Sequence, residues 1–179
     1  VVKRLEDLVI AGFMLLVTSP FFLIIAFLIW NTDKGPVFYT QERLTLDGKV
    51  FHIYKFRTMR IDTPKDVPTH MLENPEQYIT KVGKFLRKTS LDELPQIFNI
   101  FKGEMSIVGP RPALWNQDDL VAEREKYGAN DVTPGLTGWA QINGRDELEI
   151  PDKARLDGEY VKHLGPWMDL KCFLGTIGS

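Results

Sequence analysis

Residues Leu8 to Trp30 read LVIAGFMLLVTSPFFLIIAFLIW, 23 residues without a charge. As one straight helix the run is roughly 34 Å long, enough to span a bilayer. Lys3 and Arg4 precede it and no small-residue cleavage site follows, so it does not read as a removable signal peptide. Thr18-Ser19-Pro20 interrupts it near the middle. Proline removes one backbone donor and crowds the carbonyl four residues earlier, which kinks a helix. The Thr18 and Ser19 hydroxyls are placed to satisfy the freed groups.

Two arrangements follow. A kinked helix crosses the membrane, or each half, about 11 residues and roughly 16 Å, reaches only the midplane and turns back at Ser19-Pro20. Cationic residues flank both ends: Lys3 and Arg4 before the run, and Lys34, Arg43, Lys49, Lys55, Arg57 and Arg60 after it. A straight span puts one cluster outside, against the positive-inside rule, whereas a re-entrant hairpin keeps both inside. The charges favour the hairpin.

A length of 179 residues suits one modest globular domain rather than two. A net charge of −2 excludes a nucleic-acid-binding balance. The single cysteine, Cys172, excludes an internal disulfide framework. Residues 36–59 read as a β-hairpin turning at Asp47-Gly48, a pair suited to a type I′ turn. In its second strand Phe51, Ile53, Lys55 and Arg57 fall on one face by the two-residue period. Residues 61–79, with three prolines, read as a long mobile loop. Helical patterns are expected over 82–102, over 113–127 up to Gly128, and at Trp167, Leu170, Phe173, Leu174 and Ile177. The last stripe reads as core, with the membrane interface as its alternative. The ending GTIGS is a poor helix stop, so the chain is expected to continue past residue 179.

Thr89-Ser-Leu-Asp-Glu-Leu-Pro-Gln96 sets two carboxylates side by side. Ser90 to Glu93 fits a capping box, but Pro95 then disrupts the helix it would start. Neighbouring helical side chains point about 100° apart, so Asp92 and Glu93 suit separate roles rather than one shared proton. Nucleophile and metal ligand are the chemical assignment; a helix cap is the structural one. Two other segments bring groups suited to phosphate. Gly109-Pro-Arg-Pro112 fixes Arg111 between prolines, lowering the entropy lost when it grips an anion. Pro134 to Arg145 combines three glycines with Gln141, Asn143 and a terminal Arg145. No zinc-ligand spacing is present, with His52, His70 and His163 scattered.

Together these segments resemble the bacterial sugar transferase family, the monotopic polyprenyl-phosphate phosphoglycosyl transferases. The likeness runs nearly end to end: Lys3-Arg4, the Ser19-Pro20 break, GPVFYTQER (35–43), YKFRTM (54–59), SLDELPQIFNIFKGEMSIVGPRP (90–112), PGLTGWAQINGR (134–145) and Trp167-Met-Asp-Leu-Lys171. It implies an α+β fold in which a re-entrant membrane hairpin over 1–33 joins a small, mostly helical cytosolic domain over 34–179, on the cytoplasmic face of a bacterial inner membrane. It implies transfer of a sugar 1-phosphate from a UDP-sugar to undecaprenyl phosphate, releasing UMP, as the first step in building a glycan. By the same resemblance Asp92 is the nucleophile of a covalent aspartyl-phosphosugar and Glu93 holds Mg²⁺. Arg111 and Arg145 are the expected phosphate clamps, backed by Lys55, Arg57 and Arg87, with the Gln141 and Asn143 amides beside them. A homodimer is left open. Larger members carry extra N-terminal membrane helices, so a minimal core or a fragment is expected. Two rivals stand: a metal-dependent phosphohydrolase with the same nucleophile, and a membrane-anchored binding module in which the acids only cap a helix.

Overall fold

The apolar run forms one helix, α1 (Val2–Asp33), with Pro20 inside it. The computed structural model describes residues 1–64, 71–144 and 147–178. The Leu16 carbonyl, left open by the proline's missing N–H, accepts a hydrogen bond from Ser19 Oγ at 3.1 Å. Thr18 Oγ1 donates to the Met14 carbonyl at 2.6 Å, a back-bond of the kind that bends helices. Val9, Phe13, Leu16, Phe21, Leu23 and Phe27 lie exposed, whereas Ala11, Ile25 and Ile29 are buried.

Both ends of α1 are fastened to the remaining chain by polar contacts. Near the start, Lys3 pairs with Asp169 at 2.7 Å. Asp7, itself buried, accepts from Ser106 Oγ at 2.7 Å and the Ile107 N–H at 3.0 Å. At the end, Asp33 Oδ2 accepts from Arg57 at 2.8 Å. Between them, Arg4 donates to the Phe101 carbonyl at 2.7 Å and the Phe22 ring lies 6.2 Å from that of Phe98. Arg4 and Phe22 are about 27 Å apart along a straight helix, yet both reach a helix only about 10 Å long, α3 (Gln96–Lys102).

The hairpin forms as expected. Strands β1 (Phe38–Leu44) and β2 (Val50–Phe56) pair antiparallel from Phe38↔Phe56 to Leu44↔Val50. Asp47 (φ 60°) and Gly48 (φ 71°) take the two left-handed positions of the turn, as a type I′ pair requires. Phe51 and Ile53 are buried and Lys55 follows them on that face. The alternation ends with the strand at Phe56, and Arg57 swings to α1.

The helical pattern over 82–102 is two helices, α2 (Lys81–Thr89) and α3, separated by Ser90 in the left-handed region. A short parallel pair, β3 (Ser106–Val108) and β4 (Gly135–Thr137), lies beyond. The remaining helices are α4 (Asp118–Glu125), α5 (Trp139–Ile142), α6 (Ile150–Lys162) and α7 (Pro166–Ile177). The fold is thus α+β, with seven α-helices and two small sheets among the described residues. Ala11 of α1 joins Phe51, Ile53, Ile97, Ile100 and Tyr160 in the main core; each large side chain buried there contributes about 1.5–3 kcal/mol. The stripe on α7 corrects its core reading: Trp167, Leu170, Leu174 and Ile177 face outward and only Phe173 packs inward. In the segment 61–79, Pro75–Tyr78 form a 3-10 turn and Arg60 N–H bonds the Tyr78 carbonyl at 2.7 Å. Residues 65–70 of that expected loop lie outside the described residues.

Candidate active site

The two acids sit in a 3-10 turn, Leu91–Glu93, between α2 and α3. Ser90, at φ 59°, ends α2 through its N–H to the Arg87 carbonyl and starts this turn. Its side chain makes no capping bond, so the capping box is not formed. Left-handed backbone cannot serve as an ordinary N-cap, whose φ/ψ is extended. The turn is closed by Glu93 N to Ser90 O and Leu94 N to Leu91 O, each 3.2 Å. Because Leu94 takes the Leu91 carbonyl, Pro95 leaves no acceptor unpaired there, and α3 starts at Gln96.

Two segments converge on Glu93. Lys55 Nζ, from β2, lies 3.4 Å from its Oε1, and Arg111 Nη2 donates to the same oxygen at 3.0 Å. Arg111 is delivered by the β3–β4 pair: Gly109 N–H bonds the Thr137 carbonyl and Gly135 N–H bonds the Pro110 carbonyl, both 2.9 Å. A Cβ on Gly135 would meet the Gly109 nitrogen at 2.0 Å, so only glycine permits this approach. From the other side Arg43 Nη1 donates to the Pro112 carbonyl at 2.8 Å and Leu44 N–H to that of Ala113 at 2.9 Å.

The acids differ in surroundings. Burial would raise the Glu93 pKa, but Arg111 and Lys55 outweigh it and hold the carboxyl below its ordinary range. Asp92 is pushed up, first by burial and further by Glu93, against the pull of Lys55 and Arg87. Burial lowers the Lys55 pKa, partly offset by Glu93. Glu93 is therefore a fixed anion and Asp92 a more basic carboxylate, which suits the separation of roles.

Arg87, on the last turn of α2, donates its Nε–H to Thr58 Oγ1 at 2.9 Å, and its charge counters the rise of the Asp92 pKa. The guanidinium of Arg57, a residue expected beside the phosphates, bonds Asp33 and the Met59 carbonyl. Gln141 Nε2 bonds the Leu136 carbonyl at 3.3 Å and Asn143 Nδ2 that of Trp139 at 2.8 Å. Those bonds are local and neither amide is tied to the acids. Arg145 lies outside the described residues. Arg43 and Thr58 were not singled out, although each lies within a motif, Gln41-Glu-Arg43 and Tyr54 to Met59; a side chain that acts by holding another leaves no pattern of its own.

Among the described residues no three His, Cys, Asp or Glu side chains gather as a metal cage. Mg²⁺ needs only one or two carboxylates when substrate phosphates and water complete its octahedron. Glu93 fits that demand: Arg111 and Lys55 hold it anionic, with contacts to Oε1 at 3.0 and 3.4 Å.

The bacterial sugar transferase family model matches residues 1–179. The chain belongs to the bacterial sugar transferases. It is 42% identical, over 98% of its length, to the UDP-glucose:undecaprenyl-phosphate glucose-1-phosphate transferase of Escherichia coli K12. It spans only 39% of that protein. The sugar transferase EpsL of Bacillus subtilis is 41% identical over 99% of the chain and 86% of its own length. The exopolysaccharide production protein ExoY of Sinorhizobium fredii is 36% identical over 98% and 83%.

Proposed function

We propose that this chain transfers a sugar 1-phosphate from a UDP-sugar to undecaprenyl phosphate, with Asp92 as nucleophile. The observation that carries the reading is the asymmetry of the acid pair. Glu93 is held by Lys55 and Arg111, while Asp92 is more basic and accepts no hydrogen bond from another side chain among the described residues. In the first step an Asp92 oxygen forms a bond to the sugar-bearing phosphorus and the phosphorus–oxygen bond to UMP breaks, the electron pair leaving with UMP. In the second, a phosphate oxygen of the lipid attacks the same phosphorus and the Asp92 carboxylate departs unchanged. A carboxylate nucleophile divides one hard displacement into two easier ones.

The obstacle is like charge. Each pair of unit charges 4 Å apart costs about 1 kcal/mol in water and about 4 at an effective dielectric of 20. Lys55, Arg87 and Arg111 surround the turn with positive charge, and each charged hydrogen bond they donate supplies roughly 1.5–3 kcal/mol. When bound at Glu93, Mg²⁺ would neutralise the diphosphate further.

The same reading makes α1 a re-entrant hairpin at the cytoplasmic face. Its support is that Asp7 and Asp33, about 39 Å apart along a straight helix, both bond the same small domain. A rod crossing the bilayer would carry one of them to the far side. The outward stripe of α7 is a second contact with that interface, its first turn tied to the start of α1 by Lys3 and Asp169. The name of the Escherichia coli relative specifies UDP-glucose, which makes UDP-glucose the first donor to try.

Lipid-dependent UMP release, with mass-spectrometric detection of a phosphohexose adduct on Asp92, tests the proposal. Steady hydrolysis without lipid would support a phosphohydrolase instead, and unchanged turnover in Asp92→Asn would leave the acids as a structural turn.

A further inference from the structure

Arg87 presents a problem that its own helix does not solve. It is exposed, on the last turn of a nine-residue helix. A free arginine there samples many rotamers, and ordering it costs about 2 kcal/mol of side-chain entropy. Its Nε–H is nevertheless donated at 2.9 Å to the hydroxyl of Thr58, a residue only 6% exposed. This bond uses the inner nitrogen and leaves both terminal amino groups without a hydrogen bond among the described residues, while the guanidinium charge pulls the Asp92 pKa downward.

Thr58 is fixed in turn by the helix that carries Arg87. The Thr80 N–H, at the cap of α2, bonds the Thr58 carbonyl at 3.1 Å. Gly83 of α2 lies so close that a Cβ would meet that carbonyl oxygen at 2.1 Å. Thr58 and α2 therefore move as one body. Its β-branched side chain also has few χ1 choices. The adjoining segment is pinned at each step: Lys55 to Glu93, Phe56 in the apolar cluster with Ile25 and Ile29, Arg57 to Asp33.

We propose that Thr58 is a positioning residue, whose hydroxyl takes the Arg87 Nε–H and so aims the two terminal amino groups at the diphosphate arriving at Asp92. The inference rests on the transfer reading above. It goes beyond it by assigning a role to a residue that touches neither substrate nor acid. A bidentate guanidinium on phosphate works through fixed geometry; one hydrogen bond at Nε removes the rotations that would blur it. Had Thr58 served only to satisfy its own buried hydroxyl, valine, which has its shape and no hydroxyl, would alter turnover little.

The test uses the full chain in nanodiscs, in wild-type, Thr58→Val, Thr58→Ser, Arg87→Gln and Thr58→Val/Arg87→Gln forms. UDP-glucose, UDP-galactose and undecaprenyl phosphate are the probes, with UMP release as the readout. Thr58→Val should lower kcat/KM between about tenfold and a hundredfold, the range one charged hydrogen bond supplies, and Thr58→Ser should restore most of it. The double variant should be no slower than Arg87→Gln alone, since both remove one interaction. A second readout needs no substrate: the Arg87 Nε–H resonance should be protected from solvent exchange in wild type and Thr58→Ser and lose protection in Thr58→Val. Full activity in Thr58→Val with Arg87→Gln impaired overturns the proposal, as does an unprotected Arg87 Nε–H in wild type. If no donor yields UMP, the transfer reading falls with the diphosphate role, while the resonance still decides whether Thr58 holds Arg87.

Discussion

Arg57 holds Asp33, the last residue of α1, through both terminal guanidinium nitrogens, with one contact at 2.8 Å. The pair is largely shielded, with side chains 11% and 22% exposed. Breaking a buried pair by removing one partner costs about 3–5 kcal/mol, and a partly exposed one less. Arg57→Gln is therefore expected to lower the thermal midpoint by several degrees, while turnover per folded molecule stays within a few-fold of wild type. An unchanged midpoint with turnover lost would return Arg57 to the phosphates.

Asp92→Asn should do two things at once. It removes the nucleophile, so lipid-dependent UMP release and the covalent adduct both disappear. It should also stabilise the protein. The Asp92 pKa is raised in the fold above its ordinary value of 3.8, chiefly by burial. A carboxyl shifted upward binds its proton more tightly in the folded state, so ionisation above that pKa weakens the fold. The stability gap between Asp92→Asn and wild type should be widest near neutral pH and close as the pH falls below about 4, where folded and unfolded Asp92 are both protonated. Chemical denaturation across that range measures it, and a variant less stable than wild type at pH 7 contradicts the reading.

Arg111→Lys is not a mild change. Lysine keeps the charge but loses the planar fork between Pro110 and Pro112. The contact at 3.0 Å to Glu93 would pass to a mobile ammonium. Turnover should fall at least tenfold, with the loss mainly in kcat/KM for the UDP-sugar. Steady-state kinetics with UDP-glucose checks it.

Legibility from sequence followed the range over which each feature is determined. The hairpin turn was readable because Asp47-Gly48 states its own positive φ requirement. The break between α2 and α3 was readable from Pro95, but its form was not, because a left-handed serine leaves no local signature. Asp92 and Glu93 stand out in the sequence as an adjacent acid pair, but the difference in their surroundings does not, since Lys55 lies 38 positions before Glu93 and Arg111 lies 18 after it. Period-two reasoning holds only while the strand lasts, and β2 ends at Phe56, one residue before Arg57. The α7 stripe was inverted because periodicity marks an apolar face without saying what covers it. Helix α6 went unseen because its buried face includes Asp157 and Gly158, the first paired with Arg124 and the second against Tyr127.

The hairpin reading of α1 makes a topological prediction that separates it from a straight span. Both helix ends bond the domain that carries Asp92, through Asp7 to Ser106 and through Asp33 to Arg57. Cysteines at Val2 and Lys34, introduced with the buried Cys172 changed to serine, should therefore react with a membrane-impermeant maleimide from the same side. In intact cells neither should label; in inverted membrane vesicles both should. The break itself contributes to this: Ser19 Oγ replaces the missing donor at the Leu16 carbonyl, and Pro20→Ala restores a continuous backbone ladder. That variant should straighten the helix, pull Asp7 or Asp33 from its partner and lower lipid-dependent turnover. Labelling of one end from each side in the unmodified chain would show a rod across the bilayer and end the hairpin reading.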